Sequence, residues 1–367
     1  MKKCTVFISS CDEWLGYVFA RELLTQYYPD TLDCVYLGAQ TAHSDFIADL
    51  EKRGGRAVTY DTHTLPHLNH VFGKCDSVVL VPVLTNLHFQ IDIWRYFFVA
   101  IEAARVRRIF MMSVLDLDRF ETFGPFQNVY RMEGLFRDWY RTSIGRGYPS
   151  DQLLTVGGEV GSPGGAAAGD KDPLRSMKDD DLPGKRYAAV FRHSLPYEHL
   201  LLYRTAAQLK HLIVLPIEGA LFTPVAYRDV AEVVGHFIRG KLPHHAHSHL
   251  AEGSSTIVSL GKEPPVWNLT GQEAIGGEGL ALTAQLTFDT EFRYVPFTPD
   301  ETREYLHTHS ALAPEEINYF IGFYDGIRQG LQREIYRDLA EFLGRDPIDA
   351  PKFLQKHARE LKPIKKP

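Results

Sequence analysis

The feature that most constrains the fold is the alternation of short β-rich runs with helical patterns through the N-terminal half. Residues 4–10 (CTVFISS) are β-rich, residues 15–27 have helical periodicity, and the alternation continues to a strand at 107–114. The run 76–83 (DSVVLVPV) is continuously apolar, which is typical of a parallel strand buried on both faces. Such alternation implies right-handed βαβ units. The sequence therefore predicts an α/β fold with a Rossmann-type, doubly wound parallel sheet.

The remaining elements follow from the same patterns. The predicted strands are 33–38, 56–60, 152–156, 187–193, 212–216, 255–260, 266–269 and 291–296, and the predicted helices are 44–53, 64–72, 88–105, 125–142, 198–211, 228–240 and 271–285, with a mostly helical stretch from 299 onward. Ser44 is the expected N-cap of its helix, and Gly54 with Gly55 is the expected stop.

One segment interrupts this regular pattern. Residues 157–185 are rich in Gly, Ala, Pro and Asp and have almost no apolar content. We predict a flexible surface insertion within one structural unit, which either orders on a partner or is passive. Residues 1–156 would form a Rossmann-type nucleotide-binding-like domain. Residues 186–367 would supply the remaining strands and a smaller mixed α/β C-terminal lobe, with the chain crossing between lobes.

Charge and composition exclude several classes of protein. The formal net charge is −6, which argues against direct nucleic-acid binding. No apolar stretch approaches the length of a membrane span, and the N-terminus has no signal-cleavage pattern. The four cysteines have no CxxC spacing, as expected for free thiols in a reducing compartment. We expect a cytoplasmic protein that could also enter the nucleus.

The first βα turn is where a dinucleotide fingerprint would lie. It reads SSCDEWLG over residues 9–16. With Gly16 as the last glycine of a GxxGxxG pattern, Ser10 and Glu13 occupy the other two glycine positions. Glu13 places a carboxylate at the helix N-terminus, where a phosphate should bind, and Asp12 adds a second negative charge. The sequence therefore predicts a phosphate cradle that its own side chains fill.

A series of motifs extends this pattern along nearly the whole chain. They are GGRAVTYD (54–61), CDSVVLVP (75–82), IFMMS (109–113), VFRHSLPYEHLL (190–201), PVAYRDVAEVV (224–234) and FRYVPFTPDETREYL (292–306). In order and spacing the chain resembles the NmrA-like family of atypical short-chain dehydrogenases, which includes fungal nitrogen-metabolite regulators. The resemblance implies a dinucleotide site and a protein partner of the transcription-regulator type.

Active relatives use a lysine on the helix after the fifth strand, in some cases with a tyrosine four residues earlier. Aligning Glu133 with the family's helix glutamate puts Val129 at the lysine position, and a shifted alignment puts Arg131 near it. Neither side chain can serve as acid or base, because valine has no proton and arginine cannot be deprotonated in a protein. This helix has no Tyr-x-x-x-Lys. A rebuilt site would use Ser113, Tyr130, Arg131 and Tyr197.

Cofactor preference follows from the end of the second strand. NADP-preferring relatives place an arginine there, whereas this chain has the uncharged Gln40. No cofactor is therefore certain, and NADP or NAD is expected at low affinity only. Residual dinucleotide binding would use Ser9, Ser10, Glu13, Leu15, Gly16, Gln40, Asp61 and Pro82.

A histidine run and two aromatic stretches also bear on function. The run HHAHSH would place His245, His247 and His249 on one face of a strand, but it lies beside Pro243 with no nearby cysteine, so we predict a solvated loop and no metal site. The aromatic stretches 89–98 and 136–140 are predicted to be core. The alternative is a homodimer surface or a protein-docking face.

Two functions remain open from the sequence. The first is a non-catalytic, NmrA-like regulatory or sensor protein with a degenerate dinucleotide site. The second is an NAD(P)-dependent reductase or isomerase of a small molecule with a rebuilt active site. The turn at residues 9–16 discriminates between them. A nucleotide can bind if Glu13 points to solvent, whereas a carboxylate in the anion site excludes it.

Overall fold

The computed structural model describes residues 3–41, 44–61, 65–82, 84, 87–120, 124–143, 186–240 and 263–364. Its main sheet has seven strands in the order β3-β2-β1-β4-β5-β6-β8. These are β1 (Cys4–Ile8), β2 (Leu32–Ala39), β3 (Arg56–Thr59), β4 (Ser77–Leu80), β5 (Arg108–Val114), β6 (Tyr187–His193) and β8 (Val266–Leu269). Every pairing in this sheet is parallel.

The helices of the first half alternate with these strands. They are α1 (Trp14–Tyr27), α2 (Asp45–Lys52), α3 (Leu65–Phe72), α4 (Leu87–Ala104) and α5 (Gly124–Ser143), with a 3-10 turn at Leu117–Arg119. As predicted, the Ser44 hydroxyl accepts a hydrogen bond from the Ile47 amide at 3.2 Å. Gly54 follows the helix with a φ of +100°, a conformation that glycine adopts without steric cost. The α/β, doubly wound fold is confirmed.

The second half completes the sheet and builds a smaller helical region. Its elements are a 3-10 helix (Tyr197–Tyr203), α6 (Arg204–Lys210), β7 (Leu212–Val214), α7 (Tyr227–Ile238), α8 (Gly277–Phe288), β9 (Arg293–Val295), α9 (Pro299–His309), α10 (Pro314–Arg328), α11 (Asp338–Leu343), α12 (Ala350–Lys356) and α13 (Ala358–Leu361). β7 and β9 form a separate two-stranded parallel sheet.

The strand order places the topological switch point between β1 and β4. From β1 the chain proceeds to β2 and β3 on one side, and it then returns to β4, β5 and β6 on the other. Ile8 pairs with Leu37 on one side and with Val79 on the other. In sheets of this kind, ligands bind beyond the carboxyl ends of the strands at the switch point. The turn after β1 and the loop after β4 therefore border the expected cleft.

The predicted aromatic helices form a second core on one face of the sheet. Phe98 of α4 stacks on Trp139 of α5, with ring centroids 5.1 Å apart, and Trp94, Phe97 and Phe136 are fully buried beside them. The core interpretation is therefore correct for these rings. On the outer surface, Tyr96, Val99 and Tyr130 remain exposed, and the homodimer alternative stays a prediction.

Two predicted helices differ from the structure because tertiary pairing overrides local propensity. Residues 198–211 were expected to form one helix, but a 3-10 helix gives way to α6 at Arg204. The stretch from 271 becomes helical only at Gly277, because the Ile275 amide donates to the Phe222 carbonyl at 2.8 Å in a short bridge. The backbone amide of Ile275 is thus committed to another segment.

Some predictions fall outside the described residues. These are the strands at 152–156 and 255–260, the insertion at 157–185 and the histidine run at 244–249. The proposed domain boundaries also stay predictions. Among the described residues, no helix combines the length and the apolar character needed to cross a membrane.

Candidate functional site

The turn after β1 is tied directly to the end of β4. The buried Ser9 hydroxyl donates to the Val81 carbonyl at 3.1 Å and accepts from the Val81 amide at 2.8 Å. Ser10 adds a hydrogen bond from its hydroxyl to the same carbonyl, also at 2.8 Å. Its φ is +57°, a strained value for serine. These bonds tie the turn after β1 to the end of β4 at the switch point.

Gly16 has the close-packing role that its position in the turn predicts. A Cβ atom at this residue would lie 2.1 Å from the Ser10 carbonyl oxygen. No side chain fits at that distance, so the first turn of α1 can approach the β1 turn only because residue 16 is glycine. The helix-packing part of the dinucleotide fingerprint is therefore retained.

The two acidic residues of the turn accept hydrogen bonds from neighbouring backbone amides. Asp12 Oδ2 accepts from the amides of Gln40 and Thr41, both at 2.9 Å, at the end of β2. Glu13 Oε2 accepts from the Leu84 amide at 3.0 Å, in the loop after β4. Burial raises the pKa of Asp12, and its two amide partners partly oppose the shift. Both carboxylates thus point into the cleft region rather than to solvent.

A third carboxylate reaches the N-terminus of α1 from α10. Glu316 Oε1 accepts from the Trp14 amide at 2.6 Å, and its Oε2 accepts from the Ala313 amide at 2.9 Å. Burial raises the pKa of Glu316 to about 7, the Asp12 charge adds to the increase, and the two amide hydrogen bonds oppose it. The free amides at a helix N-terminus are where a phosphate binds in this fold class. In this protein the Glu316 carboxylate accepts a hydrogen bond from one of these amides, that of Trp14.

Aromatic residues of α10 extend this contact along the sheet edge. Phe320 packs edge-on against Trp14, with centroids 5.1 Å apart, on the β1 side. Phe126, at the start of α5 on the β5 side, contacts Tyr319 at 4.8 Å and Phe323 at 4.9 Å. Since β4 lies between β1 and β5, α10 crosses the carboxyl edge at the switch point. We call Glu316, Tyr319, Phe320 and Phe323 the α10 plug.

A second polar cluster lies at the ends of β5 and β6. The Ser113 hydroxyl donates to Glu133 Oε2 at 2.5 Å. Arg192 Nη2 donates to Glu133 Oε1 at 2.7 Å, and its Nη1 donates to Asp118 at 2.8 Å. Arg137 also donates to Glu133 Oε1, at 2.6 Å. The two arginines and two carboxylates balance in charge. We call this group the Arg192 cluster.

In the Arg192 cluster, the carboxylates of Glu133 and Asp118 are both paired with Arg192. Burial alone would raise the pKa of Glu133, but the hydrogen bonds and charge of Arg192 outweigh it and hold that pKa below its ordinary value. The same guanidinium lowers the pKa of Asp118. A carboxylate with a lowered pKa is a weak general base near neutrality. Glu133 therefore holds Ser113 in place better than it could activate it.

A buried histidine follows Arg192 on the same strand. The Tyr227 hydroxyl is 3.1 Å from His193 Nε2, and His193 Nδ1 is 2.9 Å from the Ser194 carbonyl. The carbonyl can only accept, so Nδ1 carries the proton and Nε2 accepts from tyrosine. Burial lowers the pKa of His193 to about 4. The imidazole is therefore neutral and committed to two hydrogen bonds.

The residues predicted for a rebuilt catalytic site do not gather around Ser113. Tyr130 and Arg131 are exposed on α5, and Tyr197 is buried and stacks on Phe353 at 5.2 Å. Among the described residues, no hydrogen bond or ring contact joins Ser113 to these three. Val129, which the sequence pattern aligned with a catalytic lysine, is fully buried in the main core. The catalytic role of this set stays a prediction.

The residues predicted for cofactor binding divide into two groups. Ser9, Ser10, Glu13 and Gly16 meet at the β1 turn, and the Gln40 amide joins them through Asp12. Leu15 and Pro82 are buried, whereas Asp61 is exposed. The structure thus assembles the expected turn. Its Cys11 and Glu13 amides donate to backbone carbonyls, and the Trp14 amide donates to the Glu316 carboxylate. Whether these residues bind a dinucleotide stays a prediction.

Sequence reasoning missed Glu316 entirely. It lies 302 positions from the amide it contacts, in a region interpreted only as helical. The run PEEINYF does indicate a helix start, because proline and acidic residues favour the first turn. No local pattern, however, indicates that one of its carboxylates reaches another helix. The Arg192 cluster had a weak signal, since charged residues interrupt the apolar strand AAVFRH.

Comparison with solved structures gives 288 matching chains. A triphenylmethane reductase from Citrobacter sp. matches with a TM-score of 0.62 at 11% identity, over 97% of this chain and 99% of that one. An NADPH-dependent quinone oxidoreductase from Escherichia coli matches with a TM-score of 0.58 at 13% identity, over 96% and 98%. A nucleoside-diphosphate-sugar epimerase from Staphylococcus aureus gives 0.59 at 12%, over 96% and 99%.

These similarities establish the fold, which this chain shares along nearly its whole length with Rossmann-type reductases and epimerases. At such low identity they say nothing further about activity. No protein-family model matches the chain, and no curated protein sequence does either.

Proposed function

We propose that this chain is a non-catalytic, NmrA-like regulatory or sensor protein whose dinucleotide cleft is filled by its own side chains. One observation carries the proposal: the Glu316 carboxylate accepts the Trp14 amide, at the position where the fold would bind a phosphate. The resemblance in motif order supplies the family, and the filled cleft favours its non-catalytic members.

The negative charges around the cleft support the proposal that it does not bind a dinucleotide. A dinucleotide pyrophosphate would have to displace Glu316 and would then lie near Asp12 and Glu13. Like charges a few ångströms apart repel each other strongly in a desolvated site. Backbone amides of Trp14, Gln40 and Leu84 donate to Glu316, Asp12 and Glu13 respectively. A bound phosphate would therefore meet excess negative charge.

The catalytic positions support the same conclusion. Valine occupies the place of the family's lysine and is buried in the core, so no amine is available there to orient a ribose or move a proton. Ser113 is engaged by Glu133, which is itself paired with Arg192. A proton relay would need one of these groups to be free to exchange partners.

A protein without its own chemistry would act through a partner. We propose a protein partner of the transcription-regulator type, as the family resemblance implies, and no direct contact with nucleic acid, because the net charge is −6. Self-association through the exposed face of α4 around Tyr96 and Val99 is compatible with this role. The proposed location is the cytoplasm, with access to the nucleus.

A second function keeps specific support. The Ser113 hydroxyl lies at the carboxyl end of β5, where a reacting carbonyl would approach a Rossmann-type active site. One similar solved structure is described as the Citrobacter reductase complexed with NADP(H). An NAD(P)-dependent reductase or isomerase of a small molecule is therefore the alternative. It requires the α10 plug to move away from the switch point.

A turnover assay separates the two functions. NADPH and NADH oxidation would be followed with quinone and triphenylmethane dye acceptors, using the wild type and the variant D12T/E13G/E316A. We expect no turnover by the wild type, and we expect tighter NADP binding by the variant, because three negative charges are removed. Saturable, acceptor-dependent oxidation by the wild type would overturn the non-catalytic proposal.

A further inference from the structure

A second concave site lies on the outer side of α1, away from the switch point. Its volume is about 710 Å³, and residues of α1, α7 and α12 line it. α1 and α7 pack closely here: the Tyr27 hydroxyl donates to the Glu232 carbonyl at 3.0 Å, and a Cβ at Gly235 would lie 2.3 Å from the Tyr27 ring. Arg21, which also lines the site, is seven residues beyond Trp14, or about 10 Å along the helix.

The charge of this cavity is opposite to that of the whole chain. Its lining includes five Lys or Arg side chains and three Glu side chains. The local excess is therefore two positive charges, in a protein whose formal net charge is −6. A concave surface of one sign raises the local concentration of ligands of the other sign. The charge pattern favours an anionic ligand.

Two arginines supply the uncompensated charge. Glu22 engages Arg21 at 3.2 Å and Lys356 at 3.4 Å. The Arg228 side chain, in contrast, makes no hydrogen bond or ion pair with any described residue. Arg239 donates from Nε to the Gly235 carbonyl at 3.0 Å, and its guanidinium lies over the Tyr27 ring, 4.6 Å from the centroid. The ring holds this planar group in place, so it is ready to bind.

A buried polar atom adds a second, independent observation. His357 lines the cavity and is more than nine-tenths buried, yet its Nε2 has no hydrogen-bond partner among the described residues. A buried polar nitrogen left unpaired costs free energy. Phe353 stacks on the ring at 4.5 Å, which limits how far the imidazole can turn. His357 Nε2 is therefore an unsatisfied polar atom covered within the wall of the cavity.

We propose that the cavity between α1, α7 and α12 binds a small phosphorylated metabolite, with Arg228 and Arg239 holding its phosphate oxygens. Guanidinium groups pair with phosphate through two parallel hydrogen bonds, which suits the forked geometry of both side chains. The volume is in the range of small-molecule sites. The site is separate from the dinucleotide cleft and gives the chain a means of sensing a phosphorylated compound while that cleft stays filled.

The test is a calorimetric titration of the full chain with inorganic pyrophosphate and with ADP, against a chloride control of equal ionic strength. The variants are R228Q, R228Q/R239Q and the matched control R303Q/R333Q, whose arginines are exposed outside the cavity. Among the described residues the Arg228 side chain has no hydrogen-bond or ion-pair partner to lose, so R228Q keeps the test valid if the double variant folds poorly. We expect the double variant to weaken binding at least about tenfold.

Each outcome of the titration either supports or contradicts the proposed phosphate site. Binding by the wild type that is reduced in R228Q and in R228Q/R239Q, but kept in R303Q/R333Q, supports the proposal. Equal binding by the wild type and R228Q/R239Q would overturn it, as would the absence of any heat beyond the chloride control with both probes. Binding that is unchanged in R228Q/R239Q but strengthened in E316A would place the ligand in the dinucleotide cleft and would also overturn it.

Discussion

Glu316 and Glu133 are the same kind of side chain in two regions of the same sheet edge, and their chemistry is opposite. Both are almost completely buried, at 3% and 2% exposure. Burial raises the pKa of Glu316 to about 7, whereas the pKa of Glu133 is held below its ordinary value. The difference lies in their partners, because amides contact the first and Arg192 contacts the second.

This contrast separates carboxylates that are held by backbone amides from carboxylates that are held by arginines. Around the β1 turn, backbone amides donate to Asp12, Glu13 and Glu316, and one of them, the Trp14 amide, lies at the helix N-terminus where a phosphate is expected. In the Arg192 cluster, charges of both signs neutralise each other. The first region resembles a phosphate site with the ligand's role taken over by the chain. The second is a structural ion-pair cluster.

The largest effect is expected from breaking the Arg192 cluster. Replacing Arg192 with Met leaves Glu133 buried without its main counter-charge, which typically costs about 3–5 kcal/mol. Urea denaturation of the variant would measure the loss in the free energy of unfolding. Arg303→Met is the control, because Arg303 forms only an exposed pair with Asp300. A loss below about 1 kcal/mol would show that the cluster is not a tight buried pair.

The next effect concerns the packing of the β1 turn on α1. In G16A the new methyl group would overlap the Ser10 carbonyl oxygen, only 2.1 Å away. Overpacking of this kind costs about 1–3 kcal/mol. Denaturation of G16A beside G134A gives the comparison, because a Cβ at Gly134 meets nothing within 4 Å. Equal stability of the two variants would contradict the described turn.

A smaller, pH-dependent effect distinguishes the two glutamates. Because its folded pKa is raised, Glu316 keeps a proton that the unfolded chain releases between about pH 4.5 and 7. Its contribution to stability is therefore present at low pH and lost as the pH rises through about 7. Glu133, with a lowered pKa, contributes stability above its ordinary range that is lost on acidification.

Denaturation of the wild type and E316Q between about pH 5 and 8 measures this contribution. We expect the difference in unfolding free energy between them to change by roughly 2–3 kcal/mol over that range. Burial also raises the pKa of Glu198 to about 7. Because Glu198 is present in both proteins, its contribution cancels from the difference in unfolding free energy. Asp12 and Glu315 face Glu316 and should broaden the transition. A pH-independent difference would contradict the raised pKa of Glu316.

The smallest effect is expected at Asp12. In D12N the amide oxygen still accepts from the Gln40 and Thr41 amides, so a loss under about 1 kcal/mol is expected. The variant also removes one negative charge beside Glu316, which should lower the pKa of that carboxyl. A pH titration of stability would detect the shift. A large loss of stability in D12N would indicate that the ionised form of Asp12 is essential to the turn.

The sequence predicted the sheet and the role of Gly16, because each depends on neighbouring residues and a local period. It left open whether Glu13 points to solvent. It could not predict the α10 plug, since Glu316 meets Trp14 only after the chain has folded over 302 positions. It also could not predict that Tyr130 and Arg131 face outward. The side of α5 on which a residue lies changes with each position along the helix, so an alignment error of one residue moves the predicted side chain to another face. Local sequence patterns therefore predict the strands and helices, whereas the site depends on contacts between residues that are distant in the sequence.

The most direct test of the filled cleft is a calorimetric titration of the wild-type protein with NADPH, at a pH of about 8, where Glu316 is ionised. The account predicts no saturable binding up to about 1 mM. The variant D12T/E13G/E316A serves as the comparison, and it should bind more tightly than the wild type. A wild-type dissociation constant in the micromolar range would contradict the central claim and would make the reductase alternative the better account.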